Sequence, residues 1–232
     1  MYFCFLIYSQ KFSITRNLDM IIPKLHYISQ GNSPKEHLEN IQKACTSGIE
    51  LVELHLEDLS EKKLLKLANE AREITAHFQT RLLIKGDYKI AREVKADGIH
   101  LEKTDSCPSL ARKHIYTWQI IGATANTIQD CETLLDKEVD YIRLSPYRTI
   151  TNEDSLYAVL GLNGYTAVLE SLKTETPIIG FGDITTVDVT DILKTGISGI
   201  AVSEEITQNF DSIKIFNQLL SASSTEEMRH TF

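Results

Sequence analysis

The segment Ala96-Asp97-Gly98-Ile99-His100-Leu101-Glu102-Lys103 decides how the rest of the chain is interpreted. A helical pattern that includes Ile90 and Val94 ends at Lys95-Ala96, and an apolar strand begins almost at once. Glycine is common where a helix ends and the chain reverses, so we assign Gly98 to that reversal. A helix that leads directly into a strand is the corner that joins successive βα units.

The same corner recurs three more times along the chain. The other copies start at Ser47, Glu138 and Gly196, and each leads into a short apolar strand. Their spacing of roughly 40 to 60 residues accommodates two βα units of about 25 residues each. The four corners therefore predict the starts of strands 2, 4, 6 and 8 of an eight-stranded barrel.

Hydrophobic periodicity and turn residues predict the other elements. Eight strands are predicted at 22–29, 49–57, 81–85, 98–103, 119–124, 140–145, 177–182 and 199–203. Eight helices are predicted at 34–47, 60–78, 87–96, from Pro108, 127–137, 163–173, 186–195 and 211–221. This alternation predicts a single-domain α/β protein over 20–220, a (βα)8 TIM barrel. An open doubly wound sheet is the alternative, but no glycine-rich dinucleotide turn follows strand 1.

The two ends of the chain are set apart from the predicted barrel. Residues 1–19 are interpreted as an N-terminal extension, either a start-site artefact with Met20 as the true start or an extra element under the barrel. The apolar run at 2–8 is too short to cross a membrane and has no basic residue before it. Residues 221–232 are predicted to form a polar, frayed tail.

Charge and cysteine content narrow the possible functions of this 232-residue chain. The net charge of −8 argues against general nucleic-acid binding, which needs a basic face. The scattered cysteines contain no CxxC pair, which argues against zinc and suits a reducing cytoplasm. We therefore expect a cytoplasmic protein with a small-molecule ligand and neither nucleic-acid nor membrane partners; no oligomer signature is visible.

Polar side chains concentrate at the predicted strand ends, where a barrel of this kind places its active site. Glu53, His55 and Glu57 alternate with apolar residues in strand 2, so they share one face, which we place inside the barrel. One interpretation is that His55 is an acid–base group between two carboxylates. The alternative is an ion-pair cluster that fills the barrel.

Three further positions at the strand ends could contact a ligand. Lys85 ends strand 3 and could hold a phosphate or act as a nucleophilic amine; the alternative is an ion pair with Glu53 or Glu57. The turns that carry Gly182 and Ser203 follow strands 7 and 8, where many barrels bind phosphate. The alternative for Gly182 is tight packing between strand and helix.

A set of motifs runs through the chain in a fixed order. They are residues 96–101 with Asp105, Gly122-x-Thr124, Asp140-Tyr141 with Pro146, residues 160–165, Gly182-x-Ile184-Thr185 and residues 199–202. Over about 22–220 they resemble the thiamine-phosphate synthase family and its relative, the thiazole tautomerase. The resemblance implies a transferase that joins a pyrimidine diphosphate to a thiazole phosphate, releases pyrophosphate and uses Mg²⁺. Such a reaction needs cations around the leaving pyrophosphate.

The chain departs from the family at several of the implied site positions. The family motif Gln-Leu-Arg-x-Lys on strand 2 reads Glu53-Leu54-His55-Leu56-Glu57, and Asn-Asp after strand 3 reads Lys85-Gly86. Asp105 remains of the family's metal carboxylates, so Mg²⁺ is expected there. The histidine of the tautomerase after strand 5 aligns with Asn126, and the serine after strand 8 aligns with Glu204.

We therefore expect a thiamine-phosphate synthase family protein of thiamine biosynthesis that binds a thiazole phosphate and joins it poorly to a pyrimidine diphosphate. The expected catalytic residues are His55, Glu53 and Lys85, and the expected substrate contacts are Glu57, Thr124, Asn126, Gly182 and Ser203. The alternative is a non-catalytic or repurposed relative, which binds a ligand or transfers a proton as a tautomerase does. An open pocket that His55 can reach would favour an enzyme; ion pairs among Arg143, Glu53 and Glu57 that close the mouth would favour the alternative.

Overall fold

The barrel predicted from the sequence is present in the computed structural model, which describes residues 21–148 and 157–229, with side chains to residue 222. Eight parallel strands close in sequence order, so that the last pairs with the first. They are β1 Leu25–Ile28, β2 Leu51–Leu54, β3 Arg81–Lys85, β4 Gly98–Leu101, β5 Ile120–Ala125, β6 Tyr141–Leu144, β7 Ile178–Gly180 and β8 Gly199–Val202. The extension at 1–19 lies outside the described residues.

Helices alternate with the strands and cover the outside of the barrel. They are α1 Pro34–Thr46, α2 Glu61–His77, α3 Tyr88–Glu93, α4 Pro108–Arg112, α5 Ile128–Asp136, α6 Gly161–Leu172, α7 Val189–Lys194, α8 Glu204–Gln208 and α9 Ser212–Arg229. The short α8 was not predicted. The last helix runs past its predicted end at 221, because no glycine or proline interrupts it. None of these helices has the length and apolar character that a membrane-spanning segment needs.

Strand β2 ends earlier than predicted, and this changes where two candidate residues lie. The backbone N–H of His55 donates to Oγ of Ser29 (3.0 Å) and takes no part in a β ladder. Strand β2 therefore stops at Leu54, and His55 and Glu57 belong to the loop at the carboxyl end of the barrel. Only Glu53 of the three alternating polar residues is a strand residue that points into the barrel.

We predicted that Gly98 makes the reversal at the end of the helix, and this prediction was wrong. Lys95 makes the reversal, with a left-handed backbone (φ 52°), whereas Gly98 is already the first residue of β4. A Cβ on Gly98 would overlap backbone atoms of Ile120 in β5. Glycine is required there because two strands approach closely, and the helix end itself tolerates a lysine.

Two of the four corners repeat one polar contact at the amino end of the barrel. The carboxylate of Asp97 accepts hydrogen bonds from the N–H of Leu82 (2.8 Å) and from Arg72 in α2 (2.6 Å). In the next copy, Asp140 accepts from a backbone N–H of β5 (2.7 Å) and from Arg112 in α4 (2.5 Å). Each contact joins a helix to two neighbouring strands, and we call the two contacts the corner clasps.

The barrel interior contains an apolar cluster and several buried polar side chains. Its apolar cluster consists of Ile28, Leu51, Leu83, Ile120, Tyr141, Ile179 and Ala201. The Tyr141 ring occupies the space beside Gly122, where a Cβ would overlap it. The Tyr141 hydroxyl then reaches the polar groups above, which begin with His100 (2.7 Å to Nδ1).

Candidate active site

A cavity of about 1140 Å³ opens at the carboxyl ends of the strands. Segments that follow seven of the strands contribute to its wall, and β3 contributes its last residue, Lys85. Six of the predicted site residues line it: His55, Glu57, Lys85, Thr124, Asn126 and Ser203. Glu53 lies below its floor, and Asp105 and Gly182 are not among the lining residues.

A buried ion pair lies beneath this cavity. The carboxylate of Glu53 in β2 accepts a hydrogen bond from the guanidinium of Arg143 in β6, and both side chains are buried. Burial would raise the pKa of Glu53, but the charge of Arg143, together with His100 and the hydrogen bond from His55, holds that pKa well below its usual range. The Phe181 ring lies over the guanidinium, 5.4 Å from its centroid, and faces the cavity. Arg143 is therefore a fixed partner of Glu53 and is kept from a ligand.

A chain of hydrogen bonds rises from this pair to the cavity. The second carboxylate oxygen of Glu53 accepts from Nδ1 of His55 (3.2 Å), and Nζ of Lys85 donates to Nε2 of His55 (3.0 Å). Because Nε2 accepts, Nδ1 carries the imidazole proton. Lys85 also forms an ion pair with Glu57. We call Glu53, His55, Lys85 and Glu57 the mouth chain.

The mouth chain satisfies parts of both interpretations of the sequence. Lys85 forms the ion pair with Glu57 that was the alternative interpretation of Lys85. Glu53 pairs with Arg143 inside the barrel. Yet Glu57 makes no contact with Arg143, and the cavity above the pair is open. The His55 side chain is 31% exposed and lines that cavity. His55 can therefore meet a ligand, with its tautomer already set by Glu53.

Two buried histidines next to the ion pair were not among the predicted catalytic residues. His100 in β4 is hydrogen-bonded to Thr124 through Nε2 (2.9 Å) and to Tyr141 through Nδ1. Burial and the charge of Arg143 hold the pKa of His100 well below its usual range, and they lower that of His26 to about 3. Both rings are therefore neutral at pH 7. Thr124, a predicted substrate contact, is held from below by His100 and faces the cavity.

Other predicted substrate contacts are held by neighbouring loops. The Asn126 amide donates to the carbonyl oxygen (2.8 Å) and Oγ (3.2 Å) of Ser145. The Ser203 hydroxyl donates to the carbonyl oxygen of Ile28 (3.0 Å). Gly182 has a φ of 120°, and a Cβ on it would come within 2.7 Å of the Tyr147 nitrogen. We therefore interpret Gly182 as a packing residue between the loops after β6 and β7.

The position expected to hold Mg²⁺ offers one carboxylate. Asp105 accepts a hydrogen bond from the N–H of Glu102 (2.7 Å) and lies against Gly86. Asp87, in the loop after β3, caps α3 by accepting from two backbone N–H groups. Within 21–148 and 157–229, no three or more His, Cys, Asp or Glu side chains are grouped to hold a metal ion. The described residues therefore do not form a metal site by themselves.

The cavity wall carries more negative than positive charge. Its described acidic residues are Glu57, Glu102, Asp183, Glu204 and Glu205, and its described lysines are Lys63, Lys85 and Lys103. Lys85 is paired with Glu57, and Lys103 is paired with Asp130 (2.6 Å). Lys63 has no ion pair among the described residues. A pyrophosphate leaving group would therefore meet little positive charge here that is not already paired with a carboxylate.

Comparison with known proteins identifies related chains. The family model described as thiamine monophosphate synthase matches residues 25–206. The thiamine-phosphate synthase of Flavobacterium johnsoniae is 35% identical over 85% of this chain and 94% of its own length. The thiamine-phosphate synthase of Flavobacterium psychrophilum is 34% identical over 84% of this chain and 97% of its own length. A solved thiamine phosphate pyrophosphorylase from Pyrococcus furiosus superposes with a TM-score of 0.73 at 23% identity, covering 85% of this chain and 96% of that one, which shows the shared fold.

Proposed function

Because the chain belongs to the thiamine monophosphate synthase family of thiamine biosynthesis, we propose that its cavity binds a thiazole phosphate. The observation that supports this ligand is the open cavity of about 1140 Å³ at the strand ends of a family barrel. Hydroxyl and amide groups of Thr124, Asn126 and Ser203 line it and are already held in place by other residues. Groups that are ordered before the ligand arrives lose less entropy on binding.

We propose that the joining reaction with a pyrimidine diphosphate is slow in this member. Lys85 at the end of β3 and Arg143 in β6 are each paired with a carboxylate. Loss of one electrostatic donor to a developing anion typically costs about 10²–10³ in rate. If Mg²⁺ binds together with the diphosphate, Asp105, the one expected metal carboxylate that remains, would help to hold it, and the ion would supply positive charge to the leaving group.

A second candidate function is proton transfer on the bound heterocycle. It is favoured by the mouth chain, in which Glu53 holds the proton of His55 on Nδ1 and so directs Nε2 towards Lys85 at the cavity. A base oriented by a buried carboxylate is a common arrangement in acid–base catalysis. In this function His55 transfers the proton, and Glu53 orients the His55 ring.

A calorimetric titration with thiazole phosphate tests the proposal. We expect binding of thiazole phosphate alone and little gain in affinity when pyrophosphate and Mg²⁺ are added. Asn126→Leu removes the amide that faces the cavity and should weaken binding; Asp191→Asn, an exposed change on α7, is the control. Absence of binding would contradict the ligand, and strong enhancement by pyrophosphate and Mg²⁺ would contradict a slow joining reaction.

A further inference from the structure

We propose that Lys85 is an imine-forming amine, and that this barrel takes an aldehyde or ketone that carries a phosphate. The carbonyl carbon of such a ligand would bond to Nζ of Lys85. The phosphate in this ligand class rests on the proposed function, whereas the amine chemistry rests on the mouth chain alone.

The surroundings of Lys85 are those of an activated nucleophile. Lys85 is the last residue of β3, its side chain is 16% exposed, and it lines the cavity. Its Nζ lies 3.0 Å from Nε2 of His55, and that ring is oriented by the buried Glu53. A nucleophile within hydrogen-bond reach of a base, which is itself held by a third group, is the general pattern of covalent catalysis.

The other two lysines of the same cavity lack this pattern. Lys63 lies in the wall without an ion pair among the described residues, and no hydrogen bond to a histidine is present there. Lys103 is paired with Asp130 and lies over the ring of Tyr157, 4.1 Å from its centroid. Of the three described lysines in the wall, Lys85 alone has a histidine at hydrogen-bond distance.

The step balances with the groups present. The Lys85 ammonium gives one proton to Nε2 of His55, and the resulting imidazolium is stabilised by the carboxylate of Glu53. The neutral amine adds to the carbonyl carbon, and the second amine proton passes to the carbonyl oxygen to give a carbinolamine. His55 returns its proton to the hydroxyl group, which leaves as water while the nitrogen lone pair forms the C=N bond. A protonated imine (iminium) between Lys85 and the ligand remains.

Glu57 opposes this reaction and provides a directional test. Its carboxylate forms an ion pair with Lys85 and stabilises the ammonium form, which cannot attack a carbonyl. Glu57 is 62% exposed in the loop after β2, so its replacement need not disturb the core. Glu57→Gln is therefore expected to accelerate imine formation several-fold.

Reductive trapping measures the reaction on the intact protein. The protein is incubated with glycolaldehyde phosphate and sodium cyanoborohydride, and peptide mass spectrometry follows the labelling rate of each lysine. We expect Lys85 to be labelled at least tenfold faster than Lys63 in the same molecule. His55→Asn should slow labelling of Lys85 about tenfold or more and leave Lys63 unchanged, since general acid–base assistance commonly contributes about 10²–10⁴. Circular dichroism confirms that each variant is folded.

The outcomes separate this proposal from the proposed function. Labelling of Lys85 no faster than that of Lys63, or unaffected by His55→Asn, overturns the amine proposal even if thiazole phosphate binds. Unphosphorylated glycolaldehyde is the second probe. Equal selectivity for Lys85 with both probes supports the amine and overturns the phosphate part of the ligand class.

Discussion

At the scale of single residues, the buried pair of Glu53 and Arg143 determines the chemistry of the cavity. The two lie 90 residues apart in the sequence and meet across the barrel interior. Arg143 keeps Glu53 ionised, and Glu53 in turn sets the tautomer of His55. The charge of Arg143 therefore fixes, through Glu53, the orientation of the His55 ring at the cavity surface.

Removal of one partner of this pair should be far more damaging than removal of both. Arg143→Met leaves an uncompensated carboxylate in the interior, and we expect a loss of about 3–5 kcal/mol in the free energy of unfolding. The double variant Glu53→Leu with Arg143→Met should be close to wild-type stability, because no charge is then desolvated. Urea unfolding at pH 7 measures both. A double variant as unstable as Arg143→Met would show that the pair stabilises the fold in its own right.

At the scale of elements, the corner clasps bind helices to strands at the end opposite the cavity. Asp97 joins α2 to the region between β3 and β4, and Asp140 does the same for α4, β5 and β6. The chemistry of the cavity and the stability of the scaffold are therefore carried by opposite ends of the strands. This separation lets the residues at the cavity change without loss of the barrel.

Truncation of either clasp should destabilise the barrel and leave the cavity unchanged. For Asp97→Ala and Asp140→Ala we expect a loss of about 1–3 kcal/mol each, because a backbone N–H and an arginine lose their acceptor. Asp191→Ala, which removes an exposed pair with Lys194, is the matched control and should change stability by about 0.5 kcal/mol or less. Thermal unfolding measures the loss, and titration with thiazole phosphate tests the cavity. A clasp variant as stable as the control would contradict the role given to the clasps.

At the scale of the whole molecule, neutral histidines in the interior make stability depend on pH. His26 and His100 have a lowered pKa in the folded state, so each takes up a proton on unfolding below about pH 6.5. The free energy of unfolding should fall as the pH drops from 6.5 towards 4, by about 1.4 kcal/mol per pH unit for each proton bound. His26→Gln should reduce that slope by about one proton. An unchanged slope, measured by urea unfolding at several pH values, would show that His26 is already charged in the fold.

The barrel could be predicted from the sequence because its signals are local. The helix-to-strand corners, the helical periodicity and the helix caps each depend on only a few neighbouring residues. Ser33 is an example of such a cap, since its hydroxyl accepts a hydrogen bond from the N–H of Glu36. The five-residue helix α8 is too short for a helical repeat of apolar residues to be visible in the sequence. Ion pairs among Arg143, Glu53 and Glu57 could be named as an alternative. The sequence did not say which carboxylate Arg143 would meet, because it does not state which side chains approach each other across a closed barrel.

Closure of the sheet also has a consequence for how the protein is made. Strand β1 pairs with β8, and the hydroxyl of Tyr27 meets that of Thr207, 180 residues later. A ribosome must therefore release almost the whole barrel before β1 gains its second neighbour. Until then the nascent chain exposes an unpaired strand edge, and such edges pair readily with other chains. Protection of that edge during translation would then decide how much of the newly made protein escapes aggregation.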